Sequence, residues 1–240
     1  GISRPSTMNA LAIIPTYNER KNLPVVVQAV LAHDNLTVLV VDDHSPDGTG
    51  EVADELRSRF PGRVDVLHRT GPRGLGRSYL SGFAHALAGD SDVICQLDAD
   101  LSHDPACLPG LLAELENSDL VIGSRYVPGG AVENWPARRR FLSAAANRYV
   151  RAITGLAVHD CTGGYRCWRR SLVGRLPLTE IESDGYAFLV EMLCLAVAQG
   201  CRVREVPITF VERRLGQSKL SARVLAESFA TPWRFRRGGR

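Results

Sequence analysis

Four apolar runs near the start of the chain, each followed by a stretch of helical length, restrict this sequence more than any other feature. "ALAIIP" (10–15), "LTVLVVDD" (36–43), "RVDVLH" (63–68) and "DVICQLD" (92–98) read as strands. Between them "NLPVVVQAVLAH" (22–33), "DGTGEVADELRSRF" (47–60) and "GLGRSYLSGFAHAL" (74–87) read as helices. A helix near 105–116 and the strand "DLVIGSR" (119–125) continue the series. Strands alternating with helices of this length form βαβ units, hence a mainly parallel sheet with right-handed crossovers. Near-continuous apolar strands suit a sheet with helices on both faces. The expected class is α/β, within one large domain.

In open sheets of this kind, ligands sit beyond the carboxyl ends of the strands. Those ends here are "PTYNE", "VDDHSPDGT" and "LDADLSHDP", all polar, acidic and rich in turn residues. Asp98 and Asp100 are one residue apart, so in extended chain they face the same side. Two carboxylates this close repel unless a cation compensates, and a hard divalent ion, Mg²⁺ or Mn²⁺, takes one or two carboxylates together with substrate phosphate oxygens. A simple helix cap ahead of "SHDP" is the competing reading. Pro15 breaks the first strand and leaves Tyr17 an aromatic face on which a base can stack. Glu19 and Asp43 can accept hydrogen bonds from base or ribose, although "SPDGT" is also an ordinary turn with helix-starting residues.

After Arg125 the rhythm changes. "VPGGAVENWP" reads as loop, "ARRRFLSAAANRYVRAI" (137–153) as a basic helix and "CTGGYRCWRR" as a short strand. "DGYAFLVEMLCLAVAQG" (184–200) reads as a helix and "RVREVPITFVERR" (202–214) as one strand. Residues 1–9 are expected to be a disordered leader, 10–221 the functional domain, and 222–240 an amphipathic helix with a basic tail. Trp233, Phe235 and the surrounding arginines suit contact with anionic lipid; a solvated basic end is the alternative.

Composition matters at three points. The six cysteines show neither a CxxC pair nor zinc spacing, which favours reduced, mostly buried thiols in a cytoplasmic protein. No apolar run reaches the roughly 18 residues of a membrane span. Net charge is only +3, so the field of the whole molecule says little about partners; no nucleic-acid partner is expected, and of 29 basic residues only Lys21 and Lys219 are lysines. The arginines cluster at 138–140, 213–214 and 234–240. Such clusters are either solvated faces or, since guanidinium forks match phosphate oxygens, anion sites. "GPRGLGRSY" (71–79) lacks GxGxxG spacing and follows the third strand, and "IIPTYNE" has no glycine fingerprint. A nicotinamide-dependent oxidoreductase is therefore excluded.

"PTYNERKNLP", "VVDDHSPDGT", "LDADLSHDP", "GSRYVPGG", "NWPARRRFLS", "DCTGGYRCW", "ESDGYAF" and "PITFVERRLGQSKL" occur in that order. Together they resemble glycosyltransferase family 2, and within it the dolichol-phosphate (polyprenol-phosphate) mannose synthases, over roughly residues 10–221. The resemblance implies a GT-A nucleotide-sugar fold, GDP-mannose as donor, a polyprenyl monophosphate as acceptor, and inversion at the anomeric carbon. It places Pro15, Tyr17, Glu19, Val41 and Asp43 at the GDP moiety, and Asp98, Ala99 and Asp100 at metal and diphosphate. Arg125, Arg213 and Lys219 match donor contacts; Arg139 and Ser143 match the acceptor-phosphate site. Asp100, Arg125, Arg139 and Arg213 are the implied catalytic group. Some members carry Gln as a further metal ligand where this chain has Ser102. Asp160 and Asp184 are assigned to orienting mannose hydroxyls or arginines. A phosphate acceptor, with its second pKa near 6, is ionised at neutral pH and needs no general base.

The same fold using UDP-glucose or another nucleotide sugar is the alternative donor reading. A non-catalytic nucleotide-sugar-binding regulator would be marked by an altered DxD or a missing Arg139, and neither is seen. Lipid access is expected through peripheral contact at the cytoplasmic membrane face or through a membrane subunit.

Overall fold

The first strand predicted from the sequence, β1 (Ala10–Thr16), is an interior strand of a seven-stranded sheet. The computed structural model of the protein describes residues 8–212 and 230–236. From β1 the chain runs through α1 (Leu23–Leu31), β2 (Leu36–Asp42), α2 (Thr49–Arg59) and β3 (Val64–His68). It continues through α3 (Leu75–Ala88), β4 (Val93–Gln96), a 3₁₀ turn (Pro105–Cys107), α4 (Leu108–Glu114) and β5 (Leu120–Ser124). The second half adds β6 (Ala131–Glu133), α5 (Ala137–Thr154), β7 (Arg166–Arg169), α6 (Arg170–Val173), α7 (Gly185–Ala198), β8 (Val203–Pro207) and β9 (Thr209–Val211).

The sheet order is β3-β2-β1-β4-β7-β5-β8, and every pairing is parallel except those of β7, which runs antiparallel to both β4 and β5. Side chains alternate across it as the strand period requires. Ala12 and Ile14 of β1 join one core layer with α1, α2 and α4, whereas Ile13 joins the other with α3 and α7. Both faces are thus covered, as the unbroken apolar strands predict. Trp168 of β7 is fully buried and its indole Nε1 donates to Gln96 Oε1 across the β4–β7 pairing at 2.7 Å. All six cysteines are free thiols, and Cys95 and Cys167 face each other in that same register.

Two expectations need correction. The loop-like "VPGGAVENWP" contains β6, and the single strand expected over 202–214 is two strands in different sheets. β8 pairs with β5, but after Pro207 the chain turns so that β9 pairs in parallel with β6. Proline supplies no N–H to extend a ladder, and Ile208 N–H is taken by Ser124 O at 3.0 Å. This small second sheet brings residues 131–135 and 209–212 over the carboxyl ends of β4 and β5. Of the expected leader, residues 1–7 lie outside the described residues, as do Arg213, Lys219 and the rest of 213–229 and 237–240. Residues 230–236 are helical, and Trp233 Nε1 donates to Tyr149 Oη of α5 at 2.8 Å.

Candidate active site

The three acidic strand ends converge. Thr16 Oγ1, at the end of β1, donates to Asp42 Oδ1 at the end of β2, and Asp43 N–H donates to Thr16 O at 2.9 Å. Beyond them opens a cavity of about 750 Å³, within the range of ligand sites. Pro15, Tyr17, Glu19, Asp43, Asp98, Ala99, Asp100, Arg125 and Arg139 all line it. Residues from five separate motifs of the sequence therefore meet in one place.

The backbone at its rim is conformationally demanding. Among the described residues four non-glycines have positive φ: Asn18 (60°), His44 (59°), Leu101 (62°) and Asn134 (61°). Each is next to a cavity-lining residue: Tyr17 and Glu19, Asp43, Asp100, and Trp135. Asparagine tolerates this region, but leucine does so only where surrounding contacts hold it. At Leu101 the bend lets Ser102 N–H donate to Asp100 Oδ1 at 3.1 Å, fixing the acid that the sequence marks as a metal ligand.

Asp98 and Asp100 share one wall, Asp98 partly exposed and Asp100 almost fully buried. His103, also lining the cavity, accepts the Asp98 N–H at its Nδ1 (3.2 Å) and lies face to face with Tyr165 at 4.9 Å between ring centres. The same Nδ1 is 3.7 Å from Asp98 Oδ2. Since Nδ1 accepts the backbone proton, it cannot also donate to that carboxylate, and the shorter contact decides the tautomer. Two chemical facts bear on a divalent ion. The pair offers hard oxygens, and the Ser102 hydroxyl beside it is buried without a hydrogen-bond partner among the described residues. No third His, Cys, Asp or Glu completes a cage among the described residues, but an ion shared with a diphosphate needs only one or two protein carboxylates. The residues present fit Mg²⁺ or Mn²⁺.

Under this wall lies Tyr79 of α3, a residue the sequence reading overlooks. Its ring is buried parallel to Phe188 at 6.0 Å, its hydroxyl oxygen is buried as well, and the residue is part of the cavity lining. Burial first, then the charges of Asp98 and Asp100, push its pKa well above the ordinary phenol value, so it stays a donor.

The residues that the resemblance places at the nucleotide are held by further contacts. Asp43 is engaged: Oδ2 accepts Gly74 N–H at 2.8 Å and Oδ1 pairs with Arg69. It therefore holds the loop before α3. That loop sets Arg73 over the Tyr17 ring at 4.5 Å, another cavity residue sequence reading misses. Asp184 fixes the same helix start from the other side, accepting Gly76 N–H at 2.5 Å and Gly185 N–H at 2.7 Å. Close packing requires glycine here: a Cβ on Gly76 would lie 2.8 Å from Ser183 O. "GPRGLGRSY" is thus a tightly packed helix start. Val41 is fully buried in the core layer that contains Tyr79 and does not line the cavity, so its side chain does not face a ligand.

Another part of the lining is cationic and aromatic. Arg125 lies almost buried, its Nε and Nη2 on Asp160 at 2.8 and 2.7 Å, its Nη2 also on Thr162. Burial alone would lower its pKa, but the Asp160 charge outweighs this and holds it above the usual guanidinium value. Arg139, from α5, stacks on the Trp135 indole at 4.1 Å and pairs with Glu212. Trp135 meets Phe210 edge to face at 5.4 Å. Ser143, one turn further along α5, accepts the Tyr126 hydroxyl at 2.7 Å and does not line the cavity. Behind this wall Arg166 is fully buried. Three carbonyls, of Cys161, Gly163 and Leu189, receive its guanidinium, and burial pushes its pKa down to about 10. It fixes the 161–164 loop that carries Thr162 and Gly164 into the cavity.

An open α/β sheet whose acidic strand ends share one cavity with arginines is the architecture of a nucleotide-sugar transferase. The chain belongs to glycosyltransferase family 2: residues 11–176 match the description "Glycosyl transferase family 2". It is 49% identical over 224 residues to the "Polyprenol monophosphomannose synthase" of Mycolicibacterium smegmatis, covering 92% of this chain and 84% of that protein. It is 47% identical over 222 residues to the "Undecaprenyl-phosphate mannosyltransferase" of Micrococcus luteus, covering 92% and 91%. A crystal structure of glucosyl-3-phosphoglycerate synthase from Mycobacterium tuberculosis, in complex with Mn²⁺, UDP-glucose and phosphoglyceric acid, superposes with a TM-score of 0.69. It has 20% identity and covers 95% of this chain and 80% of that one. The fold is of the GT-A type, and the protein is a glycosyltransferase.

Proposed function

We propose that the protein transfers mannose from GDP-mannose to a polyprenyl monophosphate, with inversion, using Mg²⁺ or Mn²⁺. The observation that carries this is the make-up of the cavity: the paired carboxylates Asp98 and Asp100 and the arginines Arg125 and Arg139 all line the same space. A donor diphosphate and an acceptor phosphate are both anionic, and bringing them together requires positive charge on each side. Asp98 and Asp100 would hold a divalent ion, which would supply positive charge to the departing diphosphate. Arg139 supplies it to the attacking phosphate, which is a strong enough nucleophile without a base. Asp160 and Asp184 are committed to Arg125 and to the α3 and α7 backbones. The names of the two bacterial relatives support mannose and polyprenyl phosphate. GDP follows from the resemblance.

The acceptor is a lipid, and α5 suits a membrane face. Phe141 and Leu142 are 73% and 54% exposed, with Arg138, Arg140 and Arg148 exposed beside them. Apolar side chains flanked by arginines are the composition of an interfacial helix. The 230–236 segment docks on this helix through Trp233, and together they form the surface by which the protein rests on the cytoplasmic membrane face, alone or with a membrane subunit. Among the described residues no helix is long and apolar enough to cross a membrane.

The test is to incubate the full chain with Mn²⁺, a short polyprenyl phosphate, and labelled GDP-mannose or UDP-glucose. Lipid-linked label from GDP-mannose alone is expected. Label from UDP-glucose alone would replace the donor, and no lipid product from either sugar would refute the acceptor.

A further inference from the structure

Arg139 is held on two sides by residues with different chemistry. Its guanidinium face lies on Trp135, which is itself nearly buried and braced by Phe210. Its N–H edge is occupied by the carboxylate of Glu212. Phe210 and Glu212 are two residues apart on and just after β9, so in extended chain they face the same side. Glu212 N–H donates to Glu133 O at 3.3 Å, prolonging the β6–β9 ladder and fixing its position. Orientation of the arginine is therefore already provided by the indole. The carboxylate adds something else: it occupies the edge that would grip a phosphate. Both partners are about one-third exposed, 35% and 34%, so an incoming anion can reach them.

We propose that Glu212 is a charge-selective competitor at the acceptor site: its carboxylate stands where the acceptor phosphate binds and yields to a dianion but not to a monoanion. This rests on the reading of Arg139 as the acceptor-phosphate residue. A phosphate monoester carries about −1.5 to −2 at neutral pH, outbidding a single carboxylate for a guanidinium fork. The product, in which that phosphate has become a diester with the sugar, carries one negative charge and loses this advantage. Glu212 then returns to Arg139 and helps release the product. The same residue thus selects monoester over diester on entry and favours departure after transfer.

The experiment compares the full-length wild-type protein with Glu212→Gln, which keeps the shape and removes the charge. KM for a short polyprenyl phosphate and the inhibition constant of its mannosylated product are measured. Both are expected to fall, the product constant more, by about two- to fivefold, the range of a partly exposed ion pair. Glu212→Asp, with a shorter reach, is expected to lie between. An unchanged or raised acceptor KM in Glu212→Gln would overturn the inference, since that is the result if Glu212 only positions Arg139. Arg139→Ala separates the two levels. If it leaves acceptor KM unchanged, the acceptor-site reading fails. If it raises KM while Glu212→Gln does not lower it, only the role of Glu212 fails.

Discussion

Arg125 forks onto Asp160 through Nε and Nη2, and the backbone N–H of Arg125 donates to the same carboxylate at 3.0 Å. Asp160 is fully buried and in turn its own N–H is held by Glu205 at 2.9 Å. One carboxylate thereby fixes both the backbone and the side chain of a cavity-lining arginine. Asp160→Ala leaves the guanidinium buried and unpaired, a loss of about 3–5 kcal/mol. Denaturant unfolding should show this as a lower midpoint at an unchanged slope.

Asp100 is fixed by Ser102 N–H on a strained turn at Leu101. Asp100→Asn keeps the shape and removes the charge. Because metal charge stabilisation is worth several kcal/mol, turnover is expected to fall by about 100-fold or more. Titration calorimetry with Mn²⁺ and donor should show weakened metal binding in parallel. Near-normal turnover and metal affinity would remove the metal role.

The lipid-facing reading of α5 is tested with vesicles containing anionic lipid. Replacing Phe141 and Leu142 by Ser removes apolar groups each worth about 1.5–3 kcal/mol when buried. Flotation should drop by more than tenfold while activity on a short, soluble polyprenyl phosphate is kept. Removing residues 230–240 should give a smaller drop, because it takes away Trp233 from its bond to Tyr149 but leaves α5 in place. Equal partitioning of all three proteins would place the membrane face elsewhere.

Stability should depend on pH through Asp119, which receives the side chain and backbone N–H of Arg202. These hydrogen bonds lower its pKa below the ordinary carboxylate value. A carboxylate with a lowered folded pKa binds fewer protons folded than unfolded, so its contribution is complete above the unfolded value of about 3.9 and is lost as pH falls through the folded one. The Tm difference between the wild type and Asp119→Asn should be constant from pH 7 to 5 and shrink below pH 4.

The parallel half of the fold was legible because period and length are local properties. β1 to β5 and the helices between them follow from runs of apolar residues that the sheet buries on both faces. The positions of Asp98 and Asp100 at a strand end, and of Arg139 on a basic helix, are equally local, as is the order of motifs that marks the family. Tertiary structure decided everything that depends on who meets whom. Nothing in "RVREVPITFVERR" tells that Pro207 hands the chain from one sheet to another, because that turn is set by the pairing of β9 with β6. Asp43 lines the cavity while also holding Gly74 and Arg69, and of the two roles open to Asp160 in sequence, folding supplies the arginine, Arg125. Tyr79, His103 and Glu212 lie within quoted motifs, but their parts are set by what they meet: Tyr79 and His103 line the cavity, and Glu212 pairs with Arg139. Sequence fixes which groups are available; long-range packing decides which charges cancel each other and which are left facing the cavity.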